Sequence, residues 1–255
     1  MYAEERQQAI SELIERRGRM SVAELAGRYG VTTETVRRDL ALLERLGHVR
    51  RVHGGAIPAA SLTVTEPGLA ERDQTRAGFK DRIAAAAARF LPVSGGSVVI
   101  DAGTTTGRMV SALPTDVDLT VVTNSVPIAA RLAGLGSISL HLLGGRVRGV
   151  TQATVGEDAL RYLGMLHVDV AFIGTNALST DHGLSTPDAD EAAVKRRMVE
   201  SADRVVVAAD SSKIGRRHLL SFAPLSAVDV LVTDSEIDET DRIQLIDQGI
   251  EVVTA

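Results

Sequence analysis

The chain has 255 residues, 44% of them hydrophobic, and a net charge of −5 that is unevenly spread. The first 56 residues hold ten arginines against eight carboxylates and the remainder eighteen cations against twenty-five acids, so a mildly basic head precedes an acidic body. The absence of cysteine excludes disulfides, thiolate metal sites and a cysteine nucleophile, no apolar run reaches the ~18 residues of a membrane span, and the polar start MYAEERQQAI is no signal peptide, so a soluble cytoplasmic protein is expected.

Ile10, Leu13 and Ile14 predict a first helix ending near Gly18. Ser21 with Glu24 three residues on is a capping-box sequence, and Val22, Leu25, Ala26 and Tyr29 follow at helical spacing before Gly30. Gly30-Val31-Thr32 is a turn of the length that joins a helix-turn-helix. Thr32 can cap the next helix, Val36, Leu40 and Leu43 form its buried stripe, and Gly47 supplies a left-handed stop. His48 to His53 read as a short ribbon turned at Gly54-Gly55, the wing of a winged helix-turn-helix.

Two arginine pairs lie on this pattern, Arg37-Arg38 off the buried stripe and Arg50-Arg51 in the wing. One such pair is ordinarily a solvated helix face, but two converging beside a helix-turn-helix point to duplex DNA. Thr33, Thr35, Arg37, Arg38, Arg50, Arg51 and His53 are the expected contacts, and Asp39 is expected to be a structural partner for an arginine. One head of this size reads one half-site, so a homodimer or homotetramer on repeated or palindromic half-sites is expected.

Residues 57–76 lack a sustained period and carry Pro58, Pro67 and Gly68, which reads as a linker between a DNA-binding domain at 1–56 and a second domain at 77–255. Phe79 to Leu91 reads as a helix. Apolar β-branched runs then recur at 97–101, 119–123, 139–143, 168–174, 204–209, 228–234 and 250–254, with helices between most of them. That pattern predicts an α/β domain with a largely parallel sheet, whose ligands bind at the carboxyl ends of the strands.

The first strand runs into Asp101-Ala102-Gly103-Thr104-Thr105-Thr106-Gly107 and a helix, which is either a threonine-capped turn or a nest for an anion. It matches neither the Walker loop nor the dinucleotide fingerprint, so no nucleotide cofactor is expected. Other strand ends supply Asn124, Asp210 and Lys213, with Lys195 on a helix between strands, in a chain with only three lysines. Hydroxyl-binding groups beside cations suit a phosphorylated sugar or polyol. His141 is expected to be a satisfied core residue, the six histidines have no metal-ligand spacing, and no nucleophile–base pair can be named.

Taken together, TVRRDL (35–40), RVHGGA (51–56), DAGTTT (101–106), VVTNS (121–125), LLGGRV (142–147), VDVAFIG (168–174) and DSSK (210–213) closely resemble the DeoR family of bacterial transcriptional regulators over nearly the whole chain. The resemblance implies a winged helix-turn-helix domain plus an α/β sugar-phosphate-sensing domain similar to ribose-5-phosphate isomerase. It implies a repressor of a carbohydrate-utilisation operon, released from operator DNA by a phosphorylated sugar. An isomerase fused to a DNA-binding head is the alternative. In the isomerase a DGADE run follows the corresponding strand and a glutamate precedes a helix lysine; here Ile173 and Asn176 replace the acids and Val194 precedes Lys195. Moving a proton between sugar carbons needs a carboxylate, and Glu191 is the one nearby. A third reading, in which the second domain only oligomerises, predicts no stabilisation by any sugar phosphate.

Overall fold

The computed structural model describes residues 3–18, 20–46, 48–52, 54–58, 67–114 and 117–255, in two compact units, Met1–Thr65 and Glu66–Ala255. In the first unit α1 (Ala3–Arg17), β1 (Met20–Ser21), α2 (Val22–Tyr29), α3 (Thr33–Arg45), β2 (Val49–Val52) and β3 (Gly55–Pro58) follow one another, with the strands in the antiparallel order β1-β3-β2. Local chemistry sets the boundaries. The Glu24 amide donates to Ser21 Oγ at 3.1 Å and the Ser21 amide to the Glu24 carboxylate at 2.8 Å, closing the capping box. Gly30 stops α2 at φ +63°, and the Thr35 amide donates to Thr32 Oγ1 at 3.2 Å to start α3.

Ile10, Ile14, Leu25, Val36, Leu40, Leu43, Val49 and Ala56 close a small core. Asp39, buried at the edge of that core, accepts from Arg6 at 2.7 and 3.1 Å and from Gln7 at 2.8 Å. Its arginine partner therefore comes from α1, not from its own helix. The wing needs both its glycines: Gly54 has φ +78°, and a Cβ on Gly55 would lie 2.2 Å from the Met20 carbonyl oxygen. Gly47, His53 and the Arg50 side chain, all assigned roles above, lie outside the described residues.

The second unit begins with α4 (Leu69–Gln74) and α5 (Ala77–Ala87). It continues through β4 (Ser97–Ile100), α6 (Thr104–Met109), β5 (Leu119–Thr123), α7 (Val126–Leu132), β6 (Ile138–Leu142), β7 (Arg146–Arg148), β8 (Ala153–Val155), α8 (Glu157–Leu163) and β9 (Val168–Ile173). It ends with β10 (Ala177–Ser179), β11 (Gly183–Thr186), α9 (Ala189–Glu200), β12 (Ala202–Ala208), β13 (Leu220–Ala223), β14 (Val230–Thr233), α10 (Glu239–Asp247) and β15 (Glu251–Thr254). The seven apolar runs form one sheet in the order β15-β14-β12-β9-β4-β5-β6, parallel throughout.

Strand alternation divides the hydrophobic side chains between the two faces. Val98, Ile100, Val170, Phe172, Val206 and Val230 join one core, and Val99, Ala171, Ile173, Val205, Val207 and Leu231 join the other. The small strands β7–β8 and β10-β11-β13 form separate antiparallel pieces, too short for the sequence pattern to announce.

Two expectations are corrected here. The 57–76 stretch is not linker throughout, because residues 57–58 complete β3 and α4 forms after Pro67-Gly68; residues 59–66 lie outside the described residues. His141 is not a core residue. β6 is a sheet edge, and His141 stands exposed with Nδ1 2.8 Å from the Tyr162 hydroxyl.

Candidate functional site

In the first unit, Arg37 and Arg38 project from α3 into solvent, each 3.6–3.7 Å from Glu34. Such exposed pairs hold by ~0–1 kcal/mol, so a phosphate can displace them. Thr33, Arg37, Arg51, Gly54 and Gly55 line one open groove, which brings the first turn of α3 and the wing onto a shared face. Arg38 is not among that lining. Thr35 is engaged in the cap, with its hydroxyl 2.9 Å from that of Thr32, and the Arg51 amide donates to Glu44 at 2.8 Å, tying wing to helix.

In the second unit, successive connections leave β4 in opposite directions, β5 and β6 to one side and β9, β12, β14 and β15 to the other. Such a reversal opens a crevice beyond the strand ends. A cavity of about 130 Å³ lies there, lined by Ala102, Gly103, Thr104 and Thr105 after β4, by Gly174, Thr175 and Asn176 after β9, and by Asp210, Ser212 and Lys213 after β12. All three lysines of the chain, Lys80, Lys195 and Lys213, line it together with Arg72 and the carboxylates Glu71, Glu191 and Asp210.

The three lysines differ in state. Lys195 is buried and pairs with Asp101, and it also donates to the Gly174 carbonyl at 2.9 Å with its ammonium 5.6 Å from the Phe222 ring centre. Lys80 is buried and donates to the Arg72 carbonyl. Its pKa falls to about 8, chiefly because burial disfavours the charged form; Asp210 and Asp73 oppose the fall, and the charges of Lys213 and Arg72 deepen it. The Lys213 ammonium is also held below its ordinary value, first by burial and then by Arg72, Arg216 and Arg76 against the pull of Asp210. Burial first, and neighbouring cations second, disfavour the charged forms of Lys80 and Lys213, and an anion in the crevice would favour them.

Asp101, Thr106 and Asn124 do not line the cavity. Their side chains are turned into the protein, where they frame the turn and the strand ends. Asp101 accepts from Lys195 and from the Gly174 amide at 2.9 Å. Asn124 accepts from the Ala102 amide at 2.8 Å, and Thr106 Oγ1 donates to the carbonyls of Asp101 at 2.7 Å and Gly103 at 3.1 Å. A Cβ on Gly103 would lie 2.8 Å from Thr106 Oγ1, so glycine is needed there for space. The turn that Gly103 opens has no side-chain cap, and the first amides of α6 have no partner within the helix.

Asp210 does line the cavity, but one oxygen accepts from the Ser212 amide at 3.1 Å and lies 3.3 Å from Arg76 Nε. Lys80, Arg72, Glu71 and Thr75 were not legible as site residues, because they lie on α4, on α5 or in the turn between them, before the first strand of the sheet. The scarcity of lysine was the one signal that could have found Lys80. Among the described residues, no group of histidine, aspartate and glutamate side chains could hold a metal ion, and no helix is long and apolar enough to cross a membrane.

Two family descriptions match the two units: a DeoR-like helix-turn-helix domain over residues 6–61 and a DeoR C-terminal sensor domain over residues 75–235. The transcriptional regulator GlpR of Haloferax volcanii is 38% identical over 99% of this chain and 98% of its own length. The glycerol-3-phosphate regulon repressor of Escherichia coli is 31% identical over 91% of this chain and 90% of its own. Among solved structures, ribose 5-phosphate isomerase A of Methanocaldococcus jannaschii aligns over 55% of each chain at 16% identity and a TM-score of 0.41. The chain belongs to the DeoR family of helix-turn-helix transcriptional regulators.

Proposed function

We propose that this regulator is a repressor of a carbohydrate-utilisation operon, and that a phosphorylated sugar or polyol bound in the second unit releases it from operator DNA. One observation carries the reading: every lysine of a chain otherwise reliant on arginine lines a single crevice at the strand ends of the sheet. The phosphate is assigned to the Gly103-Thr104-Thr105 turn with Lys213 as counter-charge, and Asp210 and Asn176, which line the same cavity, are assigned to hydroxyls. The name of the Escherichia coli relative, a glycerol-3-phosphate regulon repressor, agrees with a small phosphorylated metabolite. In the first unit, Arg37 and Arg51 on one groove are assigned to operator DNA, and Arg38, Arg50 and His53 are assigned to it from the sequence pattern alone.

The isomerase alternative is disfavoured by the side chains themselves. Ile173 and Val194, standing where the acid and the base belong, are apolar and fully buried. Glu191, the nearby carboxylate, accepts from Thr151 and from Arg148 at 3.2 Å. That engagement suits a structural anchor better than a proton shuttle. A thermal-shift panel of phosphorylated sugars and polyols, followed by operator binding against the best stabiliser, tests the reading. Stabilisation without loss of operator affinity rejects release, and no stabilisation by any member rejects the sensor.

A further inference from the structure

Residues 69–76 are attached to the second unit in an unusual way. No residue of α4 is buried, its N-cap Gly68 offers no side-chain bond, and its six residues are far fewer than the ~12–15 at which a free helix becomes even marginal. What holds it is polar. Arg108 of α6 donates to the Asp73 carboxylate at 2.9 and 3.1 Å and to the Asp73 carbonyl at 2.9 Å. Lys80 donates to the Arg72 carbonyl, and the Leu69 amide to the Val150 carbonyl at 3.1 Å. At the far end Arg76 takes the left-handed conformation, φ +56°, which a non-glycine residue adopts only when its surroundings enforce it. Asp234 at 3.0 Å, Glu236 at 2.8 Å, Asp210 at 3.3 Å and the face of Phe79 at 4.2 Å hold it there.

The same segment contributes Glu71, Arg72 and Thr75 to the lysine-lined cavity. It also holds the first helix of the second unit, directly after Pro67-Gly68, and follows the DNA-binding unit along the chain.

We infer that residues 69–76 form an effector-stabilised strap: an anionic ligand docks it onto the second unit, and without ligand it is released into the tether that leads to the DNA-binding unit. The inference rests on the reading of the cavity as the effector site. A ligand that touches groups on both strap and body binds the docked form better, and shifts the equilibrium by that difference in affinity. With no buried residue on α4, the segment is held by part-buried polar contacts rather than by an apolar face, and a ligand shared between strap and body adds to that balance. Released and extended, the eight residues span roughly 27 Å at about 3.3–3.6 Å per residue. The docked segment has six helical residues at about 1.5 Å each, so release is a net gain of roughly 12–18 Å, or roughly 24–36 Å for two tethered heads. That is comparable with the ~34–36 Å between successive half-sites on DNA, so occupancy of the cavity sets how far two tethered heads can spread.

Amide hydrogen exchange on the full chain tests this with inorganic phosphate as the ligand and chloride of equal ionic strength as the control. The variants are Asp73→Asn and Arg108→Ala, neither of which lines the cavity. Phosphate is expected to slow exchange at residues 103–106 and at 69–76 alike. Both variants are expected to exchange faster across 69–76 without phosphate and to bind it about fivefold more weakly, because part of the binding energy now goes to docking the strap. Asp73→Asn preserves shape, so its result stands even if Arg108→Ala fails to fold. Protection at 103–106 alone, with wild-type phosphate affinity in the variants, overturns the strap and leaves the cavity assignment intact. Protection at neither segment overturns both.

Discussion

Replacing Lys213 with alanine is the sharpest test of the sensor site. A charge-assisted hydrogen bond contributes about 1.5–3 kcal/mol, and this structure argues for the lower half of that range. Lys80 and Arg72 remain in the same cavity, and removing Lys213 lifts its repulsion of the Lys80 ammonium, which strengthens Lys80 as a substitute partner. A loss of about 1.5–2 kcal/mol, or roughly 10- to 30-fold in effector affinity, is therefore expected. Operator affinity without effector should stay unchanged, since Lys213 belongs to the second unit. The assay is operator binding against effector concentration for wild type and Lys213→Ala. An unshifted release curve refutes the phosphate assignment, and lost operator binding without effector shows that Lys213 is structural.

Arg37→Ala or Arg38→Ala should cost ~1–3 kcal/mol of operator affinity if the side chain meets a base edge, whereas Arg51→Ala at a phosphate should reduce the salt slope by about one unit; salt-titrated binding separates the two. Effector affinity should fall as pH rises through about 8, because an anion favours the charged Lys80 that Asp210 and Asp73 support and that Lys213 and Arg72 oppose. The sign for stability is opposite. The folded value lies below the ordinary 10.5, so the unfolded chain holds more protons between about 8 and 10.5 and the ligand-free protein gains stability with pH across that window. Isotherms and melts on both sides of pH 8, with Lys80→Met as control, check both signs. Asp39→Ala leaves Arg6 without its partner and should destabilise the first unit by ~2–3 kcal/mol, seen as faster amide exchange in α3 of the full chain. Light scattering should give at least a dimer, with half-sites about 10 bp apart or a multiple of that; a monomer both free and on operator defeats this expectation.

Much of the architecture was written locally. The Ser21–Glu24 box, the Thr32 cap and the Gly30 stop involve residues within a few positions of one another, so sequence alone marks the boundaries of α2 and α3. The seven β-branched runs likewise declare seven strands, because a strand buried on both faces of a parallel sheet is a short continuous apolar segment, which is a local property. The Gly103-Thr104-Thr105 turn was legible for the same reason: strand, glycine and helix are contiguous.

The order of the strands was not legible, and with it went the centre of the site. Only tertiary packing puts β4 beside β9 and β9 beside β12, so that three distant strand ends meet. Which way a side chain faces at such an end depends on partners far along the chain. Asp101 is drawn inward by Lys195, 94 positions away, and Asn124 by the Ala102 amide, while Lys213 is left facing the cavity. Lys80 and Arg72 enter the site because α4 and α5 fold back over strand ends that follow them in sequence, and His141 stands exposed on β6, the edge strand of the sheet. Periodicity records what a segment buries, but the neighbour it buries against is decided by contacts between segments, and those exist only once the chain has folded.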